Sequence, residues 1–136
     1  MRPTLAIPVL TLALVSGCGS SHAGAKDAFL RGVEQIRATH GEQKLHGQLA
    51  DTITRLRTAH VSTPAERRGK LLALRGFTWT LKGLEARIEI TVNDSGNLEA
   101  SVHDAARADR DARTGAEFLR AAGRAFGVRL GKLNGF

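Results

Sequence analysis

The sequence predicts an all-α protein folded as a three-helix antiparallel bundle, and three observations carry that expectation. Apolar residues recur at steps of three and four along most of the chain beyond residue 26, the spacing that lays a stripe down one side of a helix. A helix-start signature stands in mid-chain, where Thr63 can cap, Pro64 fits the first helical position and Glu66 can close a capping box. The links between the patterned stretches are short, which sets neighbouring helices antiparallel.

The first helical stretch runs from Lys26 to about His60. Phe29, Val33 and Ile36 make its early stripe, and Leu45, Leu49, Ile53 and Leu56 a later one. The two stripes are nine residues apart at their join, with Gly41 and Gly47 beside it. One long helix bent near Gly41 is expected rather than two shorter helices, because no proline or cluster of turn formers intervenes. His60–Thr63 is then a tight link, since Pro64 biases Thr63 away from the helical region. The middle helix follows, its stripe formed by Leu71, Leu74, Phe77, Leu81, Leu84, Ile88 and Thr91 or Val92. Arg67, Arg68 and Lys70 crowd its first turns, where positive charge opposes the helix dipole.

Residues 87–102 carry two patterns. Ile88, Ile90 and Val92 alternate with polar neighbours, Asn93–Asn97 are turn formers, and Leu98, Ala100 and Val102 alternate again, which is the signature of a β-hairpin. An isolated two-stranded ribbon is marginal, however, and helical stripes extend into the stretch from both sides. The preferred reading is therefore a loop between two helices, with Ser95 or Asn97 as the cap.

The third helical pattern takes in Leu98, Val102, Ala105, Ala112, Ala116, Leu119, Gly123 and Phe126, interrupted by Asp109. Gly127 or Gly131 should stop it, leaving Leu130, Leu133 and Phe136 to fold back on the bundle or to stay exposed as a contact segment. Phe29, Phe77 and Phe126, joined by Trp79, supply the large core residues. A core this lean in bulk suggests a partner, either a second copy or another protein.

The chain of 136 residues suits one domain. Its opening lies apart from that domain: Arg2 is basic, Leu5–Val15 is a short apolar run, and small residues lead into Cys18. This is the layout of a secretory signal peptide, too short in its apolar part for an ordinary membrane span. At Val15, Ser16, Gly17 and Cys18 it resembles the lipobox of bacterial lipoproteins. The resemblance implies cleavage before Cys18, a diacylglyceryl (and palmitate-bearing) anchor on its sulfur, and a domain held on the extracytoplasmic face of the cell membrane. It departs from the family in having valine where leucine is commoner, and it covers the leader alone. The chain then divides into a lipoprotein signal peptide (1–17), a flexible Gly/Ser/Ala spacer (18–25) and a helical domain (26–136). Ala23, Gly24 and Ala25 offer an ordinary secretory cleavage site, so a soluble secreted product is the alternative. Cys18 is the single cysteine, which excludes an internal disulfide.

A net charge of +7 favours anionic partners. For an exported chain, anionic lipid or an anionic envelope polymer is nearer to hand than nucleic acid, although the frequent Arg, Ala and Gly also fit a GC-rich genome. No nucleophile elbow or phosphate-cradling glycine loop is present, so neither a catalytic site nor a cofactor is expected. His40, His46, His60 and His103 are too scattered in sequence to share a metal on one helix; tertiary packing alone could join His40 or His60 to His103 with Asp104 or Asp109. Asn93–Asn97 lacks the length and distant glutamate of a calcium loop. Asp104 can pair with Arg107 and Asp109 with Arg113, or Asp109 can meet an arginine of a neighbouring helix. Trp79 lies off the apolar stripe, one helical turn from Arg75 and Lys82, and these three residues are the expected binding patch. The leading expectation is a lipid-anchored helical protein that binds or scaffolds an envelope component. The alternatives are a metal-binding protein or enzyme using the His and Asp residues, and a structural protein that oligomerises through the Ala/Gly face of its third helix.

Overall fold

The computed structural model describes residues 24–92 and 96–133. Among them the chain forms four helices: α1 (Ala25–Ala38), α2 (Glu42–Thr58), α3 (Pro64–Val92) and α4 (Leu98–Ala125). The protein is all-α, and the expectation of three helices is corrected to four. What looked like one bent helix is two antiparallel ones. Gly41 takes φ 106°, a backbone conformation open to glycine at little cost, and the chain reverses there without a proline. The two stripes fail to share a register because they belong to separate helices. Thr52 Oγ1 donates to Gln35 Oε1 at 2.8 Å across the pair, and Thr39 bonds Gln48 nearer the turn.

The start of α3 forms as its residues dictate. The Glu66 amide donates to Thr63 Oγ1 (3.1 Å), and the Glu66 carboxylate accepts from the amides of Thr63 (3.3 Å) and Ser62 (2.6 Å). These bonds satisfy orphan amides reciprocally. Lys70 spends its charge on a structural task, donating from Nζ to the carbonyls of Arg57 (2.9 Å) and Ala59 (2.8 Å) and so capping the end of α2.

The hairpin alternative for 87–102 is not what forms. Helix α3 continues through Ile88 and Ile90 to Val92, and α4 opens at Leu98 with Asn97 Oδ1 accepting the Ala100 amide at 3.2 Å. Residues 93–95 lie outside the described residues. So do residues 1–23, with the leader and Cys18, and 134–136, with Phe136.

Helix α3 is the organising element because it packs on two sides. One side carries Phe77 and Leu84, fully buried, with Leu74, Leu81 and Ile88 partly buried against α1 and α2. Phe29 of α1 meets Phe77 edge-on at 6.1 Å between centroids and Phe126 at 5.2 Å, and these three rings fill the centre. Trp79, expected among them, stands half-exposed outside the cluster. The other side is a seam of small residues. Gly69, Ala73, Gly76, Thr80 and Gly83 of α3 face Ala108, Ala112, Gly115, Leu119 and Ala122 of α4. A Cβ on Gly83 would lie 2.9 Å from the Ala108 carbonyl oxygen and 3.0 Å from the Ala112 nitrogen, so the backbones themselves are in contact.

Among the four described helices, α4 packs against α3 alone. It ends in a Schellman turn, with Gly127 at φ 70°, its amide bonded to the Arg124 carbonyl (3.1 Å), and the Val128 amide bonded to Gly123 (2.7 Å). Residues 128–133 then return along the bundle, where Val128, Leu130 and Leu133 pack against the core. Of the two glycines expected to stop the helix, Gly127 does so. The fold-back expectation is met by Leu130 and Leu133.

Candidate functional site

Because α1 and α2 cover one side of α3 and leave α4 alone, the opposite side of the α3–α4 pair faces solvent. Arg68, Leu72, Arg75, Trp79 and Lys82 succeed one another at steps of four and three along α3, which places them in one row on that side. Asp111, Thr114, Phe118, Ala121 and Ala125 make the matching row on α4. The rows touch at two points. The Arg75 guanidinium carbon lies 6.0 Å from the Phe118 ring centroid, and Lys82 Nζ lies 4.0 Å from Asp111 Oδ2. Lys82 Nζ also sits 4.7 Å above the Trp79 ring, within the range of cation–π attraction. The three residues expected as a binding patch, Arg75, Trp79 and Lys82, are thus brought together, with both cations exposed and the indole half-exposed.

Toward the start of α3 the rows open into a cleft of about 600 Å³ lined by Pro64, Ala65, Arg68, Leu72, Ala121, Arg124 and Ala125. Sequence reasoning set Arg68 apart, in the basic first turns of α3, and missed Phe118 and Arg124 as companions of the patch. The signal was available for Arg68, seven residues before Arg75. Phe118 and Arg124 depend on the antiparallel register of α4, which their own segment does not state.

Asp111 is the exception on this face. It is only 9% exposed, and its Oδ2 has no hydrogen-bond partner among the described residues. Lys82 is close enough for electrostatic attraction but too far for a hydrogen bond. The face therefore holds four cations, Arg68, Arg75, Lys82 and Arg124, and one carboxylate recessed beneath Lys82.

The remaining polar groups are used locally or stand apart. Asp109, which interrupts the third stripe, bonds Arg87 of α3 through Nη2 at 2.8 Å, the inter-helix pairing, and Asp104 pairs with Arg107 at 3.4 Å. His46 Nε2 lies 3.0 Å from Glu85 Oε1, and His103 Nδ1 lies 3.9 Å from Asp104. His60 is at the opposite end of the bundle, its carbonyl accepting the Ala25 amide. Among the described residues no group of three or more His, Cys, Asp and Glu side chains could hold a metal ion. Val92, Leu98 and Val102 form an exposed apolar tip where α3 hands over to α4.

These features define the class to which the chain belongs structurally: an all-α protein whose described residues form four helices, with a basic, aromatic face on the long α3–α4 hairpin. No protein-family model matches the chain, and no curated protein or solved structure is detectably similar to it.

Proposed function

We propose that the protein is a lipid-anchored, extracytoplasmic component of the cell envelope that binds another envelope component through the face bearing Arg75, Trp79 and Lys82. The observation that carries the location is Cys18, the single cysteine, placed directly after a short apolar run and the small residues Ser16 and Gly17. A thiol there suits acylation, and two or more buried chains hold a protein at a bilayer where one holds it marginally. Among the described residues no helix is long and apolar enough to cross a membrane, so attachment by this domain would rest on the anchor and on surface contact. The binding role is supported by the grouping of a half-exposed indole with exposed cations on a surface that none of the four described helices covers. A structural oligomer built through the Ala/Gly face of the third helical segment is the weaker reading, since Ala108, Ala112 and Gly115 are buried against α3.

Membrane fractionation of cells making the full chain and its Cys18→Ala variant tests this reading. The full chain should sediment with membranes and resist a salt wash, and the variant should be released. Equal behaviour of the two in every fraction would reject the anchor.

A further inference from the structure

The outer face of the α3–α4 hairpin gathers four cations, Arg68, Arg75, Lys82 and Arg124, around the recessed carboxylate of Asp111, with Glu117 at the outer margin of the α4 row. Arg68, Arg75 and Arg124 enter no ion pair among the described residues. Apolar groups lie between the cations: Leu72, Trp79 and Phe118 are half-buried, and Leu71, beside Arg68 and Arg75 on α3, is 58% exposed. From Arg68 to Lys82 the row is about 21 Å long at the α-helical rise. It is a surface of two parallel rows with long cations at its margin, open along its length and widening into the cleft between Arg68 and Arg124 at one end.

We propose that this face lies on the surface of an anionic phospholipid bilayer, with Arg68, Arg75, Lys82 and Arg124 at the level of the phosphates and Trp79, Phe118, Leu71 and Leu72 in the interfacial zone. Charge complementarity selects the occupant. A second copy would bring the same cations against themselves, whereas an anionic leaflet presents the opposite sign over the whole length of the row. The indole adds a second reason, because tryptophan, with an apolar body and one polar N–H, partitions to the headgroup level. Long basic side chains can lay their methylenes along apolar surface while the charge reaches the phosphates. The inference deepens the proposed function by naming the partner of that face. It borrows from that reading only the presence of a membrane nearby.

The test uses the full chain carrying Cys18→Ala, so that no acyl chain contributes, with vesicles of phosphatidylcholine alone or mixed with phosphatidylglycerol. Trp79 is the only tryptophan in the chain, and its emission reports this face directly. Its emission should move to the blue with the anionic vesicles and much less with the neutral ones, and bromine-labelled lipid should quench it. The leader is common to every variant, so differences between variants read the face. Arg68→Gln, Arg75→Gln and Arg124→Gln together should lower binding to anionic vesicles by roughly a hundredfold, at about fivefold per basic residue removed from the surface. Arg31→Gln, Lys44→Gln and Arg57→Gln on α1 and α2 remove the same charge from other surfaces and should leave binding within about fivefold. Equal losses in the two triple variants, or Trp79 unquenched by labelled lipid on the Arg-bearing chain, would overturn the proposal, and the quenching arm does so even if a triple variant fails to fold. A blue shift induced by a soluble polyanion and by no vesicle would assign the face to an anionic polymer instead. None of these outcomes bears on Cys18, so the docking face can fail while the anchor stands.

Discussion

Replacing Gly115 by alanine should loosen the α3–α4 seam, although alanine is the better helix former. A Cβ at Gly115 would lie 2.8 Å from the backbone nitrogen of Thr80 and 2.9 Å from the Gly76 carbonyl oxygen, and it would collide with Thr80 Oγ1 as well. Two of these neighbours are main chain and cannot rotate away, so the helices themselves must part. Alanine gains about 1 kcal/mol of helix propensity over glycine, while overpacking a tight contact costs about 1–3 kcal/mol. The contact atoms are backbone, which puts the cost at the upper end and the net loss near 2 kcal/mol, or about 10 °C in Tm for a domain of this size. The control is Gly47→Ala. Gly47 lies inside α2 with no atom near its missing Cβ, so alanine there should stabilise by about 1 kcal/mol. Thermal and urea denaturation followed by far-ultraviolet circular dichroism measures both. If Gly115→Ala stabilised as much as Gly47→Ala, the close-packed seam would not exist as described.

Phe77→Ala removes the ring that meets Phe29 and fills the space over Gly32, and a loss of about 3–5 kcal/mol is expected in urea titration; a loss under about 1 kcal/mol would place the core elsewhere. Gly41→Ala forces a side chain into φ 106° and should destabilise by about 1–3 kcal/mol, whereas stabilisation would mean that the α1–α2 turn is not a left-handed one. Asp111→Ala takes away a nearly buried carboxylate whose Oδ2 has no hydrogen bond among the described residues and only a distant Lys82, so stability should hold or rise; a marked fall would reveal a hydrogen-bond partner for that oxygen. For Arg87 and Asp109, partly exposed on facing helices, a double-mutant cycle should give a coupling below about 1 kcal/mol.

The helices were legible where a local signal coincided with a tertiary role. Thr63, Pro64 and Glu66 announce the start of α3, and the capping bonds form between those same residues. The apolar stripe of α3 foretold one of its two packing sides. The other escaped notice because it is written in glycine, which weakens a helix read alone. Gly69, Gly76 and Gly83 recur every seven residues, and that period could have marked a close-packed seam. Exposed Leu71 and Val92 follow from the same cause, since a helix packed on two sides rotates away from a single stripe. The α1–α2 break was missed because one glycine with positive φ can reverse a chain without the usual cluster of turn formers. The grouping of Arg75, Trp79 and Lys82 follows from helical spacing within one element, whereas Phe118 and Arg124 join it only through the register of the seam.

The anchor proposed at Cys18 would decide where the protein works, and the mass of the mature amino-terminal peptide from the membrane fraction is its most direct measure. The expected peptide begins at Cys18 and carries the mass of a diacylglyceryl group, and the Cys18→Ala chain yields no such species. A mature chain beginning after Ala25, or a peptide bearing Cys18 as an unmodified thiol, would contradict the lipid-anchored role.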